Sequence, residues 1–162
     1  MKKLIKLIPI ILLLAACNTG TNTNQETTNV EASSTAANST EVAISNAWVR
    51  EPAPGQKIGA AYMTLSSAQD SILVYAEATD VAGAVEIHSM SMNNGVMKMR
   101  MLDELTLEAN KPKELAPGGL HLMMFDLKKP LKSGEEVTFK LCFEDTSGNI
   151  THQNITLTIK SQ

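Results

Sequence analysis

The sequence predicts an all-β protein, either a β-sandwich or a small barrel of short antiparallel strands. Apolar and polar residues alternate over short segments, and turn-forming residues separate these segments. Beyond the N-terminal leader, no stretch shows a helical period of useful length. Many short strands in a chain of 162 residues favour two packed sheets or one closed sheet.

Residues 1–17 have the features of an export signal. Three lysines precede a short apolar run, and small residues precede Cys17. The apolar run is too short to stay in a membrane as a spanning helix. Its ending, Leu14-Ala15-Ala16-Cys17, resembles the bacterial lipobox, in which the thiol is acylated and becomes the first mature residue. The alternative is an ordinary secretory peptide that leaves Cys17 near the cleavage point.

We therefore expect a lipid anchor on Cys17 that holds the chain at a bacterial membrane, in the periplasm or on the outer cell surface. Residues 18–41 are mostly Asn, Thr, Ser and Ala and contain no aromatic side chain. Such a stretch cannot bury enough apolar surface to offset the entropy of ordering it. We interpret it as a disordered tether between the membrane and a domain at residues 42–162.

The domain divides into strand candidates in the following order. A segment ending at Arg50 precedes a Pro-rich turn, and candidates follow at residues 58–65, 72–78, 85–88, 97–101, 137–144 and 155–160. In the candidate at residues 85–88, Val85 and Ile87 should face one side of the sheet, and Glu86 and His88 the other. The pair Asn94-Gly95 suits the tight turn of a hairpin.

Composition excludes several classes of protein. The formal charge is -3, and loss of the leader would leave 11 basic against 17 acidic residues, so binding to nucleic acid is disfavoured. The two cysteines should not pair, since lipidation of Cys17 leaves Cys142 as a lone thiol. No defensible carboxylate pair and no serine nucleophile motif is present, and we expect no enzyme activity.

Soft metal donors cluster in residues 88–124, which hold two of the three histidines and seven of the nine methionines. Neutral imidazole and thioether are groups that Cu(I) prefers. On a strand, His121 and Met123 point to the same face, and the Asn-Gly turn would fold Met99 back toward His88. These four side chains can therefore converge on one point.

Their spacing resembles that of a known family. His88, ten residues, Met99, 21 residues, His121, one residue and Met123 match the periplasmic copper chaperones called PCuAC. The flanking Gly-Val-Met-Lys-Met-Arg and Pro-Gly-Gly-Leu-His-Leu-Met also resemble that family. The chain ends at Gln162 without the His- and Met-rich tail that some members carry, which puts any second, Cu(II)-directed site in doubt.

The resemblance implies a cupredoxin-like β-sandwich of Greek-key type that binds one Cu(I). It implies His88, Met99, His121 and Met123 as the ligands. It also implies delivery of copper to the dinuclear centre of cytochrome c oxidase, through the copper-bearing subunit or another assembly factor. We expect a monomer.

Two other functions remain open on the residues alone. One is a copper-buffering or tolerance lipoprotein without a dedicated acceptor. The other is an electron-transfer cupredoxin, which is disfavoured because blue-copper sites need a Cys thiolate and Cys142 lies outside the motif.

The remaining soft residues have simpler interpretations. We interpret Met90 as a candidate auxiliary metal ligand, and Met92 similarly, unless both are exposed loop residues. The residues interpreted as structural are Met63 (core), Met97, Met101 and Met124 (packing or a hydrophobic collar), Cys142 (half-buried) and His152 (solvated).

Overall fold

The computed structural model describes residues 41–161, and within them the chain is all-β. Ten strands follow in chain order, with bounds as follows: β1 Ala43–Arg50, β2 Gly59–Ser66, β3 Ser71–Glu77, β4 Ala84–Asn93, β5 Val96–Leu102, β6 Leu105–Leu107, β7 Lys113–Leu115, β8 Leu120–Phe125, β9 Glu136–Asp145 and β10 Ile150–Lys160. The predicted all-β class is confirmed, and the strand candidates fall within β1 to β5, β9 and β10 or within a residue or two of their bounds, although β4 ends five residues later and β10 begins five residues earlier than predicted.

The strands form one continuous hydrogen-bonded path. Its order is β5-β4-β8-β2-β1-β10-β9-β3-β6, and β7 pairs with β2 outside this path. All pairs are antiparallel except β1 with β10, so the strands are not uniformly antiparallel as the sequence suggested. Long crossovers in this order place strands that are distant in the chain side by side.

The sheet folds onto itself around a single core. Apolar residues from both ends of the strand order join one buried cluster, for example Ile87 and Leu122 from one end and Leu73 and Phe143 from the other. Strands β3 and β4, which are far apart in the hydrogen-bonded order, contact each other. The result is a cupredoxin-like sandwich, in which alternate residues of each strand face the core or the outside.

The hairpin of β4 and β5 extends beyond the rest of the sheet. Its two turn residues have positive φ, 50° for Asn94 and 79° for Gly95, as a type I′ turn requires. This confirms the predicted hairpin turn. Strand β4 pairs with β8 only as far as Ser89, and from Ser91 outward it pairs with β5 alone.

Some predictions lie outside the described residues. These are the export signal, the lipid anchor on Cys17 and the tether up to residue 40. Residues 41–161 contain no helix with the length and apolar character needed to cross a membrane.

Candidate metal centre

Two histidines meet on the outer face of the sheet, where β4 and β8 run side by side. In the β4–β8 register His88 lies directly opposite His121, and the two ring centroids are 5.9 Å apart. The next residues along, Ile87 and Leu122, are also opposite each other and point into the core. Core packing on one face therefore fixes the strand register that brings the two imidazoles together on the other face.

A cleft of about 270 Å³ opens beside the histidines. Four soft donors line it, together with an aromatic ring and a guanidinium: Met90, Met99, His121, Met123, Tyr62 and Arg50. Three of the four predicted ligands thus share one cleft, and His88 adjoins it through its contact with the His121 ring.

His88 is held by a carboxylate. The residue is only 8% exposed, and its Nε2 lies 2.7 Å from Oε2 of Glu86, two residues earlier on the same face. A carboxylate accepts hydrogen bonds, so in the neutral imidazole this contact places the ring proton on Nε2 and the lone pair on Nδ1. Nδ1 is buried and has no hydrogen-bond partner among the described residues. A buried ring nitrogen with a free lone pair is the state in which histidine binds a metal.

His121 is oriented by the backbone. Its Nδ1 donates a hydrogen bond to the carbonyl oxygen of Gly119 at 3.1 Å, because a carbonyl can only accept. The lone pair therefore lies on Nε2. Each histidine thus gives one ring N–H to an acceptor and keeps the other nitrogen available, which is the arrangement typical of metal-ligating histidines.

Aromatic residues support the His121 ring from the side. Tyr62 lies 6.4 Å away between ring centroids, and Trp48 packs against Tyr62 at 4.7 Å. The guanidinium of Arg50 sits over the Tyr62 ring, 5.2 Å from its centroid. Burial raises the pKa of Tyr62 above its usual value, and the positive charge of Arg50 partly opposes this rise. A neutral, packed Tyr62 restricts the rotation of the His121 ring.

The methionines of the hairpin follow the strand register. Met99 lies opposite Met90, and Met101 rather than Met99 lies opposite His88. Met99 is on the same face as His88 but two cross-strand pairs further toward the tip, so it approaches His88 diagonally and not from the directly opposite position. Met123 lies opposite Glu86 in the β4–β8 register.

Other methionines divide into two groups. Met63 and Met124 are buried in the core, at 1% and 0% exposure. Met97 and Met101 are 57% and 53% exposed, so core packing is wrong for these two residues and the hydrophobic collar is the alternative that stays. Met92, also in a strand rather than a loop, is 67% exposed.

Polar side chains flank the thiol of Cys142, away from the two histidines. Cys142 is 1% exposed, which makes it fully buried rather than half-buried as the sequence suggested. It lies opposite Tyr75 on one side and His152 on the other. His152 is exposed as predicted, and its Nε2 is 3.1 Å from the Tyr75 hydroxyl.

Glu86 is the residue of the site that the sequence interpretation missed. Its position two residues before His88 on a strand places both on one face, and that signal was present in the alternation itself. Among residues 41–161, no three His, Cys, Asp or Glu side chains group together as potential ligands. The donors that do group are imidazoles and thioethers, which suit a soft monovalent ion.

Comparison with known proteins gives a family match. The model of the LpqE-like lipoprotein family matches residues 42–156. Among curated proteins, Lxx21020 of Leifsonia xyli subsp. xyli, which is also named as a lipoprotein, is 31% identical over 108 residues. RP573 of Rickettsia prowazekii is 30% identical over 78 residues. The matches cover 65% and 48% of this chain, and 64% and 43% of those proteins.

Solved structures similar to this chain include PCuAC domains and the protein DR1885 in its apo and CuI forms. Apo-DR1885 of Deinococcus radiodurans is 31% identical, with 91% of this chain and 97% of that chain covered and a TM-score of 0.56. CuI-DR1885 is 34% identical, with 72% and 76% covered and a TM-score of 0.51. The copper-bound PCuAC domain from PmoF2 has a TM-score of 0.60 over 75% of this chain and 93% of that one, and at 22% identity it supports the fold alone.

Proposed function

Because the chain belongs to the LpqE-like family and its structural neighbours are PCuAC domains, we propose that it is an extracytoplasmic Cu(I) carrier with a lipid anchor on Cys17. The proposed ligands of a single ion are His88, Met99, His121 and Met123. The proposed acceptor is the copper-bearing subunit of cytochrome c oxidase or another factor that assembles its dinuclear copper centre.

The free Nδ1 of His88 is the observation that carries this proposal. A buried polar atom without a partner costs roughly 1–3 kcal/mol, so its presence needs a reason. Glu86 holds the ring with Nε2 as the donor, which keeps the unpaired nitrogen on the other side of the imidazole. A metal ion that binds there gains a ligand and removes that cost.

The donor set also suits the ion. Two neutral imidazoles and two thioethers bring no net charge, and thioethers have no proton to lose when they bind. Unlike thiolates, they do not form disulfides in an oxidising compartment. Soft, uncharged ligands favour Cu(I) over harder ions and release it more readily than a cage of thiolates.

Exposure of one ligand supports transfer rather than storage. Met99 is 45% exposed on the edge strand β5, whereas His88 and His121 are 8% and 5% exposed. An acceptor can therefore replace Met99 first, from the open side of the cleft, while the histidines still hold the ion.

Competition for Cu(I) tests the ligand set. The chain from Asn18 onward, without its predicted anchor, is titrated under reductant against a chromophoric chelator. We expect one tightly bound ion, with clear weakening in His88→Ala, Met99→Ala, His121→Ala and Met123→Ala. Met63→Leu, a similar-sized change in the core, is the matched control and should bind as the parent does. Unchanged binding in the four ligand variants would contradict the proposal.

Growth experiments test the direction of transfer. A strain that lacks a carrier should lose cytochrome c oxidase activity when copper is scarce, and added copper should restore it. A strain that lacks a buffering protein should instead grow poorly when copper is abundant. If the strain grows poorly at abundant copper but keeps its oxidase activity at scarce copper, the protein buffers copper and does not deliver it.

A further inference from the structure

The β4–β5 hairpin carries methionines whose side chains are not packed in the hydrophobic core. Five of the nine methionines of the chain lie in these two strands, and Met92, Met97, Met99 and Met101 are each 45% or more exposed. Exposing large apolar side chains to water is unfavourable at about 25 cal/mol per Å². The buried Met63 and Met124 show how this chain places methionine where it serves packing.

The strand register arranges these methionines in cross-strand pairs. Met92 lies directly opposite Met97, and Met90 lies directly opposite Met99. The register has no irregularity, so both pairs are on the face that also carries His88. The intervening residues of β5, Lys98 and Arg100, are exposed on the other face.

The spacing lets these side chains share an ion. Directly opposed residues of an antiparallel pair have Cβ atoms about 4.5–5.5 Å apart, and residues two apart on one strand are about 7 Å apart. Methionine side chains are long and flexible enough to bring their sulfur atoms together from such positions. Met92, Met97 and Met90 can therefore surround one point near the tip of the hairpin.

We propose that Met92, Met97 and Met90 form a second, weaker Cu(I) site composed only of thioethers. This inference rests on the proposed Cu(I) function of the cleft and adds an outer position to it. The ion would stay Cu(I) throughout, because neutral thioethers neither take up electrons nor lose protons on binding.

Continuity with the cleft gives the outer site a role. Met90 belongs to the outer group and also lines the cleft with Met99 and His121. An ion at the tip can move inward by exchanging one thioether at a time, from the Met92–Met97 pair to the Met90–Met99 pair and then to the histidines. The outer site is thus where copper enters or leaves the cleft.

Titration of the full chain with Cu(I) tests the outer site. With a weak competing chelator, the parent should bind two equivalents of Cu(I). The X-ray absorption that the second equivalent adds to the spectrum of the first should show sulfur ligands only. The double variant Met92→Leu with Met97→Leu should lose the second equivalent and keep the first at parental affinity. Leucine has a similar volume, so the hairpin should still fold. Met63→Leu with Val96→Leu, which changes one core residue and one hairpin residue and removes no thioether from the tip, should keep both equivalents.

Each outcome decides a different question. A parent that binds one equivalent only, or a double variant that keeps the second, overturns the outer site and leaves the proposed function intact. Loss of the first equivalent in the double variant also overturns it, because the two groups would then be one site. A parent that binds no Cu(I) contradicts the proposed function as well.

Discussion

Replacing Glu86 by glutamine isolates the effect of the carboxylate on the metal site. The substitution keeps the length and shape of the side chain and removes its charge. The amide oxygen can still accept the Nε2 proton of His88 at the observed 2.7 Å separation. What is lost is the charge-assisted character of that bond, which makes it about twice as strong as a neutral one.

The expected loss of Cu(I) affinity is about tenfold. Mutation of the partner of a metal-ligating histidine typically costs about 10–100-fold. The lower end applies here, because glutamine keeps the acceptor and because the Glu86 side chain is 37% exposed, so water already screens part of its charge. A tenfold loss corresponds to about 1.4 kcal/mol. A weaker hold on Nε2 lets the ring rotate and exchange tautomers, which removes the lone pair from the Nδ1 position.

Chelator competition measures this loss, and Glu77→Gln serves as the matched control. Glu77 is a half-exposed carboxylate on β3 whose salt-bridge partner, Lys140, is 3.8 Å away. The control should bind Cu(I) as the parent does. If Glu86→Gln binds as tightly as the parent, Glu86 does not position His88. If added salt weakens the parent to the level of the variant, long-range charge attraction rather than the hydrogen bond explains the effect.

Three further predictions concern stability and titration. Gly95→Ala should lower the free energy of unfolding by about 1–2 kcal/mol, because Gly95 has a φ of 79° and a side chain is strained there; denaturant unfolding measures it. Leu122→Ala should lower it by about 2–5 kcal/mol by the same method, because Leu122 is fully buried beneath the histidines. Burial raises the pKa of Tyr62, and the hydrogen bond with Cys142 raises that of Tyr75, both above the ordinary 10.0. Tyrosinate absorbance should therefore appear at higher pH than in free tyrosine, and the stability contributed by the neutral rings, complete below about pH 10, should fall as the pH rises further.

Controls for these predictions come from the same chain. Gly119→Ala should be nearly neutral, since its Cβ would make only an ordinary contact with the carbonyl oxygen of Ala116 at 3.6 Å. Equal losses for Gly95→Ala and Gly119→Ala would refute the strain argument. A small loss for Leu122→Ala would mean that the core relaxes around the missing atoms. Cys142→Ala should lower the pKa of Tyr75. If this substitution leaves the pKa unchanged, the hydrogen bond with Cys142 is not the cause of the raised value.

Local alternation was enough to predict seven of the ten strands in the described residues and the faces of the site, but not the short strands β6 and β7 or the bounds of β8. Ile87 and Leu122 point to the core and His88 and His121 away from it, as the period of two requires. The Asn94-Gly95 turn was predictable because few residue pairs tolerate two positive φ angles. These features depend on neighbours in sequence.

Features that depend on strand order were not predictable in this way. The parallel pairing of β1 with β10 joins the two ends of the domain, and no local pattern encodes it. The cross-strand pairing of His88 with Met101, instead of Met99, is of another kind: the predicted two-residue turn already sets this register, and the sequence interpretation did not follow it along the strands. The exposure of Met97 and Met101 follows from the edge position of β5, which is a property of the whole sheet.

X-ray absorption spectroscopy of the chain loaded with one equivalent of Cu(I) tests the central claim most directly. Nitrogen and sulfur neighbours differ in distance and scattering, so the spectrum counts both kinds of ligand. We predict two nitrogen and two sulfur neighbours in the parent, and one nitrogen fewer in His88→Ala. A first equivalent bound by sulfur alone, or a parent spectrum that His88→Ala leaves unchanged, would contradict the account of the metal centre.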